Sequence, residues 1–127
     1  MVNLDFSRKY RITNTQEYRE VYRSGTWYIS PLLDVSAKTN TLGITRLGLS
    51  VPKSVGSAHE RNLLKRRLRN LFICIENKKK GWDIVVIPKR ESLVTDFKLF
   101  RKTFIDSLHF LSIIPKNVIN SEDVNEK

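Results

Sequence analysis

Arg61, Asn62, Lys65, Arg66 and Arg69 fall in a stretch, residues 59–70, that contains no Gly or Pro and reads as helix. At 100° per residue, the four cations share an arc of about 140°, with Asn62 inside it. A guanidinium matches phosphate oxygens bidentately and an ammonium acts as a point charge, so such an arc is a phosphate-binding surface. Asn62 can hydrogen-bond to a phosphate, a 2′-hydroxyl or a base edge. Tyr18 and Tyr22, four residues apart, form a second set. With Val21 they make an apolar stripe whose ordinary use is core packing. Tyr is amphipathic, however, and two rings at the rim of a groove can also stack on bases.

Hydrolytic and transfer chemistries are not indicated. There is no Gly-x-Ser-x-Gly, no phosphate loop ending in Gly-Lys-Ser/Thr and no His-Glu-x-x-His. His59 and His109 lie on different predicted helices and have no carboxylate or cysteine partner by spacing. Cys74 is the sole cysteine, so neither an internal disulfide nor a zinc-ligand set is expected. We therefore expect no catalytic residue and no metal ligand in this chain.

Charge distribution points the same way. Residues 52–80 hold nine Lys or Arg against Glu60 and Glu76, a local balance of +7 within a net charge of +10. A concentrated excess of this kind favours a polyanionic partner, with nucleic acid ahead of an anionic membrane surface. No stretch approaches the ~20 apolar residues of a membrane span, and residues 1–8 contain no apolar run of signal-peptide length. Together these features point to a cytoplasmic protein. At 127 residues and 40% apolar content, one folded domain is expected.

The elements that must position the arc follow from pattern. Residues 1–11, ending in Arg8-Lys9-Tyr10-Arg11, are expected as a flexible basic arm. Thr13, Asn14 and Thr15 offer N-caps for a helix over residues 15–24, with Gly25 as its stop. Residues 27–38 alternate Leu33, Val35 and Ala37 against Asp34, Ser36 and Lys38, as one strand or two. Residues 44–51 form another, with Leu47, Leu49 and Val51 on one side, and the two segments look like an antiparallel pair. A helix from about Ser57 to Asn77 follows, in which Leu64, Leu68, Leu71 and Ile75 make a buried seam beside the cationic arc. Arg67 falls outside that arc and reads as a solvated side chain. Lys78-Lys79-Lys80-Gly81 should close this helix, with cations at the negative end of its dipole. Residues 82–87 read as a central strand, and a last helix from about Thr95 buries Phe97, Phe100, Phe104, Leu108 and Leu111. The folded domain then spans 12–114, and 115–127 is expected as a disordered tail. The whole is a single α+β domain: helix, strands, helix, strand, helix.

Lys53-Ser54-Val55-Gly56, continuing through Arg61-Asn62-Leu63-Leu64-Lys65-Arg66-Arg67-Leu68-Arg69, resembles the bacterial ribonuclease P protein subunit family. That family carries a loop Lys and Gly followed by Arg-Asn-Arg and Lys-Arg-x-x-Arg on one helix. Tyr18-x-x-x-Tyr22, Arg23-Ser24-Gly25, Leu47-Gly48-Leu49-Ser50-Val51 and Trp82-Asp83-Ile84-Val85-Val86-Ile87 extend the resemblance from about Arg11 to Leu111. Leu63 departs from the third residue of the Arg-Asn-Arg triplet, and Arg67, about 40° away, could supply the missing cation.

The resemblance implies the ribosomal protein S5 domain 2-like fold with a left-handed βαβ crossover. It also implies a protein that joins a catalytic ribonuclease P RNA to remove the 5′ leader of precursor tRNA, with the chemistry and its Mg²⁺ belonging to the RNA. Arg61, Asn62, Lys65, Arg66 and Arg69 become RNA contacts, and Tyr18, Tyr22 and Lys53 become leader contacts. No obligate protein partner and no membrane are implied. The alternative is a structural RNA-binding protein, such as one of the ribosome.

Overall fold

A computed structural model describes residues 8–76 and 78–115. The first helix, α1 (Thr15–Ser24), begins where the Asn14 side chain accepts a hydrogen bond from the Gln16 N–H at 2.7 Å. Its end is shaped by close approach: a Cβ on Gly25 would lie 2.4 Å from the Ser36 hydroxyl oxygen and from the Val21 carbonyl. Strands β1 (Thr26–Ile29) and β2 (Leu33–Thr39) follow as an antiparallel pair, so residues 27–38 hold two strands. After β3 (Arg46–Leu49) come α2 (Ala58–Cys74), β4 (Trp82–Pro88) and α3 (Phe97–Phe110).

The sheet order is β1-β2-β4-β3, with β4 antiparallel to β2 and parallel to β3. The antiparallel pairing expected between residues 27–38 and 44–51 is therefore not formed, because β4 lies between them. Alternation assigns faces to a strand but not neighbours. The run Asp83 to Val86, buried at every position, takes a central place, and the intervening α2 brings β4 back parallel to β3.

Each face of the sheet is covered. Leu33, Val35, Leu47, Ile84 and Val86 pack with Leu64 and Leu68 of α2 and with Phe100, Phe104 and Leu108 of α3. On the other face Val85 packs with Val21 of α1 and with Ile12. Ser36, expected on a polar face, is fully buried there, and its hydroxyl donates to the Val21 carbonyl at 2.8 Å. Phe97, expected in the core, is 42% exposed at the first turn of α3. Helix α2 ends at Cys74, three residues before the expected stop. Lys78 turns back onto that end and donates to the Phe72 carbonyl at 2.8 Å and to the Ile75 carbonyl. Of the expected basic arm, Arg8–Tyr10 form one 3₁₀ turn and Arg11 bridges to Leu47 beside β3. Residues 1–7 of the arm, and all of the expected tail after Pro115, lie outside the described residues.

Candidate nucleic-acid interface

The start of α2 is fixed by a reciprocal cap. The Ser57 hydroxyl accepts from the Glu60 N–H at 3.1 Å, and the Glu60 carboxylate accepts from the Ser57 N–H at 2.9 Å. Two turns of leucine hold the helix down: Leu64 and Leu68 are fully buried. With that seam fixed inward, Asn62 and Arg66 are exposed, while Arg61, Lys65 and Arg69 are half-buried beside it. Arg61 leans toward the preceding loop and donates from Nε to the Gly56 carbonyl at 3.2 Å. The five predicted side chains thus lie on one helix with one buried seam setting their direction.

Local charge composition sets this surface apart, with nine Lys or Arg against Glu60 and Glu76 in residues 52–80. Several carboxylates away from α2 are held in ion pairs: Asp83 and Glu17 with Arg46, Asp34 with Lys89, Glu20 with Arg23 and Asp106 with Lys102. Glu60 closes the helix cap. Among the described residues, Lys53, Lys65, Arg66 and Arg69 form no ion pair. Burial lowers the pKa of Arg69, and the neighbouring charge of Arg11 acts in the same direction, while Tyr18 opposes it. Two adjacent guanidiniums on a partly desolvated site gain when a phosphate arrives.

Arg69 also locates the arc relative to the aromatic pair. Tyr18, on α1, lies against β3: a Cβ on Gly48 would stand 2.9 Å from its ring. The Tyr18 hydroxyl accepts from the Leu49 N–H at 3.2 Å and donates to the Leu49 carbonyl at 3.4 Å. Burial raises the Tyr18 pKa, and the bond to the Leu49 backbone opposes that shift. Tyr22 follows one turn later, its ring centroid 6.4 Å from that of Tyr18. Trp27 then stacks on Tyr22 at 5.9 Å and 21°, and its Nε1 donates to the Tyr22 carbonyl at 3.3 Å. A row of three rings, Tyr18, Tyr22 and Trp27, therefore runs from β3 toward β1. Trp27 was not singled out as a site residue, since its place beside Tyr22 depends on β1 folding back under α1.

Lys53 opens the 3₁₀ turn that follows β3, on the Leu49 side of the strand where Tyr18 is held. It is exposed and makes no hydrogen bond to either tyrosine. Arg67 is not simply solvated. Its guanidinium lies over the Phe97 ring at 5.5 Å, which ties α2 to α3 on the side away from the cationic arc.

Similarity to known proteins was found at three levels. Residues 6–112 match the family model described as ribonuclease P. A ribonuclease P protein component of Clostridium botulinum is 37% identical over 100 residues, covering 77% of this chain and 90% of that relative. One from Dehalococcoides mccartyi is 42% identical over 82 residues, covering 65% of this chain and 68% of its own. Among solved structures, the RNase P protein from Thermotoga maritima superposes with a TM-score of 0.70 at 26% identity, covering 87% of this chain and 98% of that one.

Proposed function

The chain belongs to the ribonuclease P protein family, as the protein component of that tRNA-processing ribonucleoprotein, and we propose that its two surfaces divide the binding work. In this reading Arg61, Asn62, Lys65, Arg66 and Arg69 of α2 contact the phosphates and 2′-hydroxyls of the ribonuclease P RNA. Tyr18, Tyr22 and Lys53, joined by Trp27, hold the single-stranded 5′ leader of precursor tRNA. Residues 12–114 constitute the RNA-binding domain. The single observation that carries the proposal is that Lys65, Arg66 and Arg69 of α2 form no ion pair among the described residues, while Tyr18, Tyr22 and Trp27 line up as a row of rings on the same domain.

Single-stranded RNA is bound by stacking its unpaired bases and neutralising its phosphates, and the rings and cations supply both. Mature tRNA lacks the single-stranded 5′ leader, so the row distinguishes a leader-bearing precursor from a mature product. Phosphodiester hydrolysis and its Mg²⁺ belong to the RNA subunit in this proposal. Among the described residues no group of three or more His, Cys, Asp or Glu side chains is placed to hold a metal ion. No helix among the described residues is long and apolar enough to cross a membrane. We place the activity in the cytoplasm on the family's tRNA-processing role. The ribosomal alternative gains no support from the similarities found.

Reconstitution tests the proposal. With ribonuclease P RNA at low Mg²⁺, the protein is expected to stimulate cleavage of a leader-bearing precursor and to tighten its binding. Absence of both effects would contradict it.

A further inference from the structure

Helix α1 crosses its face of the sheet along one row of residues. Gly48 of β3, Val85 of β4, Ser36 of β2 and Trp27 of β1 are in register with one another. Each lies against the helix: Gly48 at the Tyr18 ring, Val85 at Val21, Ser36 at the Val21 carbonyl and Trp27 at Tyr22. Two residues further along, about 7 Å away, the next row on the same face is Ile87, Asp34 and Ile29, paired directly across β4, β2 and β1. This row is open: Ile29 is 63% exposed, and Ile87 and Asp34 are half-buried. Ile87 packs against the same small core as Tyr18 and Tyr22, so the row borders the rings.

Asp34 is the acceptor in this row. Its Oδ1 takes the Lys89 ammonium at 3.0 Å and the Ser30 N–H at 3.3 Å. Lys89 has a second anchor, donating to the Ser30 carbonyl at 2.7 Å. Among the described residues, Asp34 Oδ2 accepts no hydrogen bond. A carboxylate has about four acceptor positions, so one oxygen of Asp34 is left open. Ile29 and Ile87 flank it on the neighbouring strands, and an apolar border strengthens a hydrogen bond made there and penalises an unmatched polar group.

On a surface for RNA, a carboxylate repels phosphate and accepts from a base. Adenine, guanine and cytosine each offer an exocyclic amino group, whereas the exocyclic groups of uracil are carbonyl oxygens, which a carboxylate repels. We propose that Asp34 is a specificity-determining residue for the leader. Its Oδ2 accepts from the amino group of one unstacked base held beside Tyr22 and Trp27, and disfavours uracil at that place. The inference rests on the reading of the ring row as the leader surface.

Binding titrations of reconstituted holoenzyme test it, with precursor tRNAs that carry adenosine, uridine or purine riboside at each leader position in turn. Purine riboside is adenosine without its amino group. Wild-type protein is expected to bind adenosine more tightly than the other two at one position, by about 10-fold, the weight of one hydrogen bond to a charged group. This comparison needs no variant, so it stands whatever a substitution does to the fold. Asp34→Ala is expected to abolish the difference. Lys89→Met breaks the same ion pair but keeps the acceptor, with the Ser30 N–H still on Oδ1, and is expected to retain it. Equal binding of adenosine and purine riboside at every position, with precursor still preferred over mature tRNA, overturns the role of Asp34 and leaves the leader surface intact. A difference that survives Asp34→Ala, or that Lys89→Met loses equally, also overturns that role. Precursor bound no better than mature tRNA overturns the leader reading and the inference with it.

Discussion

The Tyr18 hydroxyl exchanges two hydrogen bonds with the backbone of Leu49, accepting from its N–H at 3.2 Å and donating to its carbonyl at 3.4 Å. These bonds fasten α1 to β3 and so fix the first ring of the proposed leader surface. Tyr18 is consequently a folding residue as well as a candidate contact.

Tyr18→Phe keeps the ring and removes the hydroxyl, and should cost about 1 kcal/mol in denaturant unfolding. A pH signature accompanies the loss. Burial raises the Tyr18 pKa above 10.0 in the folded state, so its contribution is complete below the unfolded pKa and declines as pH rises through the folded one. The alkaline limb of the stability curve should be shallower in Tyr18→Phe than in the wild type. Superimposable limbs would contradict the bond.

Gly48→Ala inserts a Cβ 2.9 Å from the Tyr18 ring, and neither β3 nor the doubly bonded tyrosine can yield freely. Overpacking of this kind costs about 1–3 kcal/mol. Thermal melts should show the loss, and discrimination between precursor and mature tRNA should weaken with it.

Arg46 is bound to Asp83 through Nε at 3.0 Å and Nη2 at 2.8 Å, and to Glu17 at 3.2 Å, which links β3, β4 and α1. Asp83 is 9% exposed, and it raises the Arg46 pKa further above its ordinary range. Arg46→Met strands the Asp83 charge and should cost about 3–5 kcal/mol. Adding Asp83→Asn should recover much of that loss; a double variant no more stable than Arg46→Met would show the pair to be unimportant.

Arg67→Ala removes the cation over Phe97 and should cost about 0.5–1 kcal/mol while changing RNA affinity little. Leu63→Arg, restoring a cation of the family triplet, should tighten RNA binding and steepen its salt dependence. If Arg67 instead supplies the cation that Leu63 lacks, Arg67→Ala will weaken RNA binding as strongly as Arg66→Ala, and titration separates the two.

Much of α2 was legible because Leu64, Leu68 and Leu71 repeat at helical spacing and thereby direct Arg61, Lys65, Arg66 and Arg69 outward. Where the helix stops was not, since Lys78 ends it by turning back to carbonyls that carry no sequence signal. Leu33, Val35 and Ala37 announced a buried face, yet nothing in them marked β4 rather than β3 as the neighbour of β2. Burial of Ser36 depended on α1 crossing that position. The aromatic pair was visible from spacing, whereas Trp27 joined it only through the fold of β1, and Arg11 met Arg69 only through its bridge beside β3.

Competition between leader-bearing precursor and mature tRNA, measured on holoenzymes reconstituted with Tyr22→Ala or Arg66→Ala protein, tests the division of labour most directly. Tyr22→Ala should reduce the preference for precursor by about 5-fold or more, the loss of one stacked base, without weakening assembly with the RNA subunit. Arg66→Ala should weaken assembly and leave the preference intact. A preference unchanged by Tyr22→Ala, or reduced equally by both substitutions, would contradict the account.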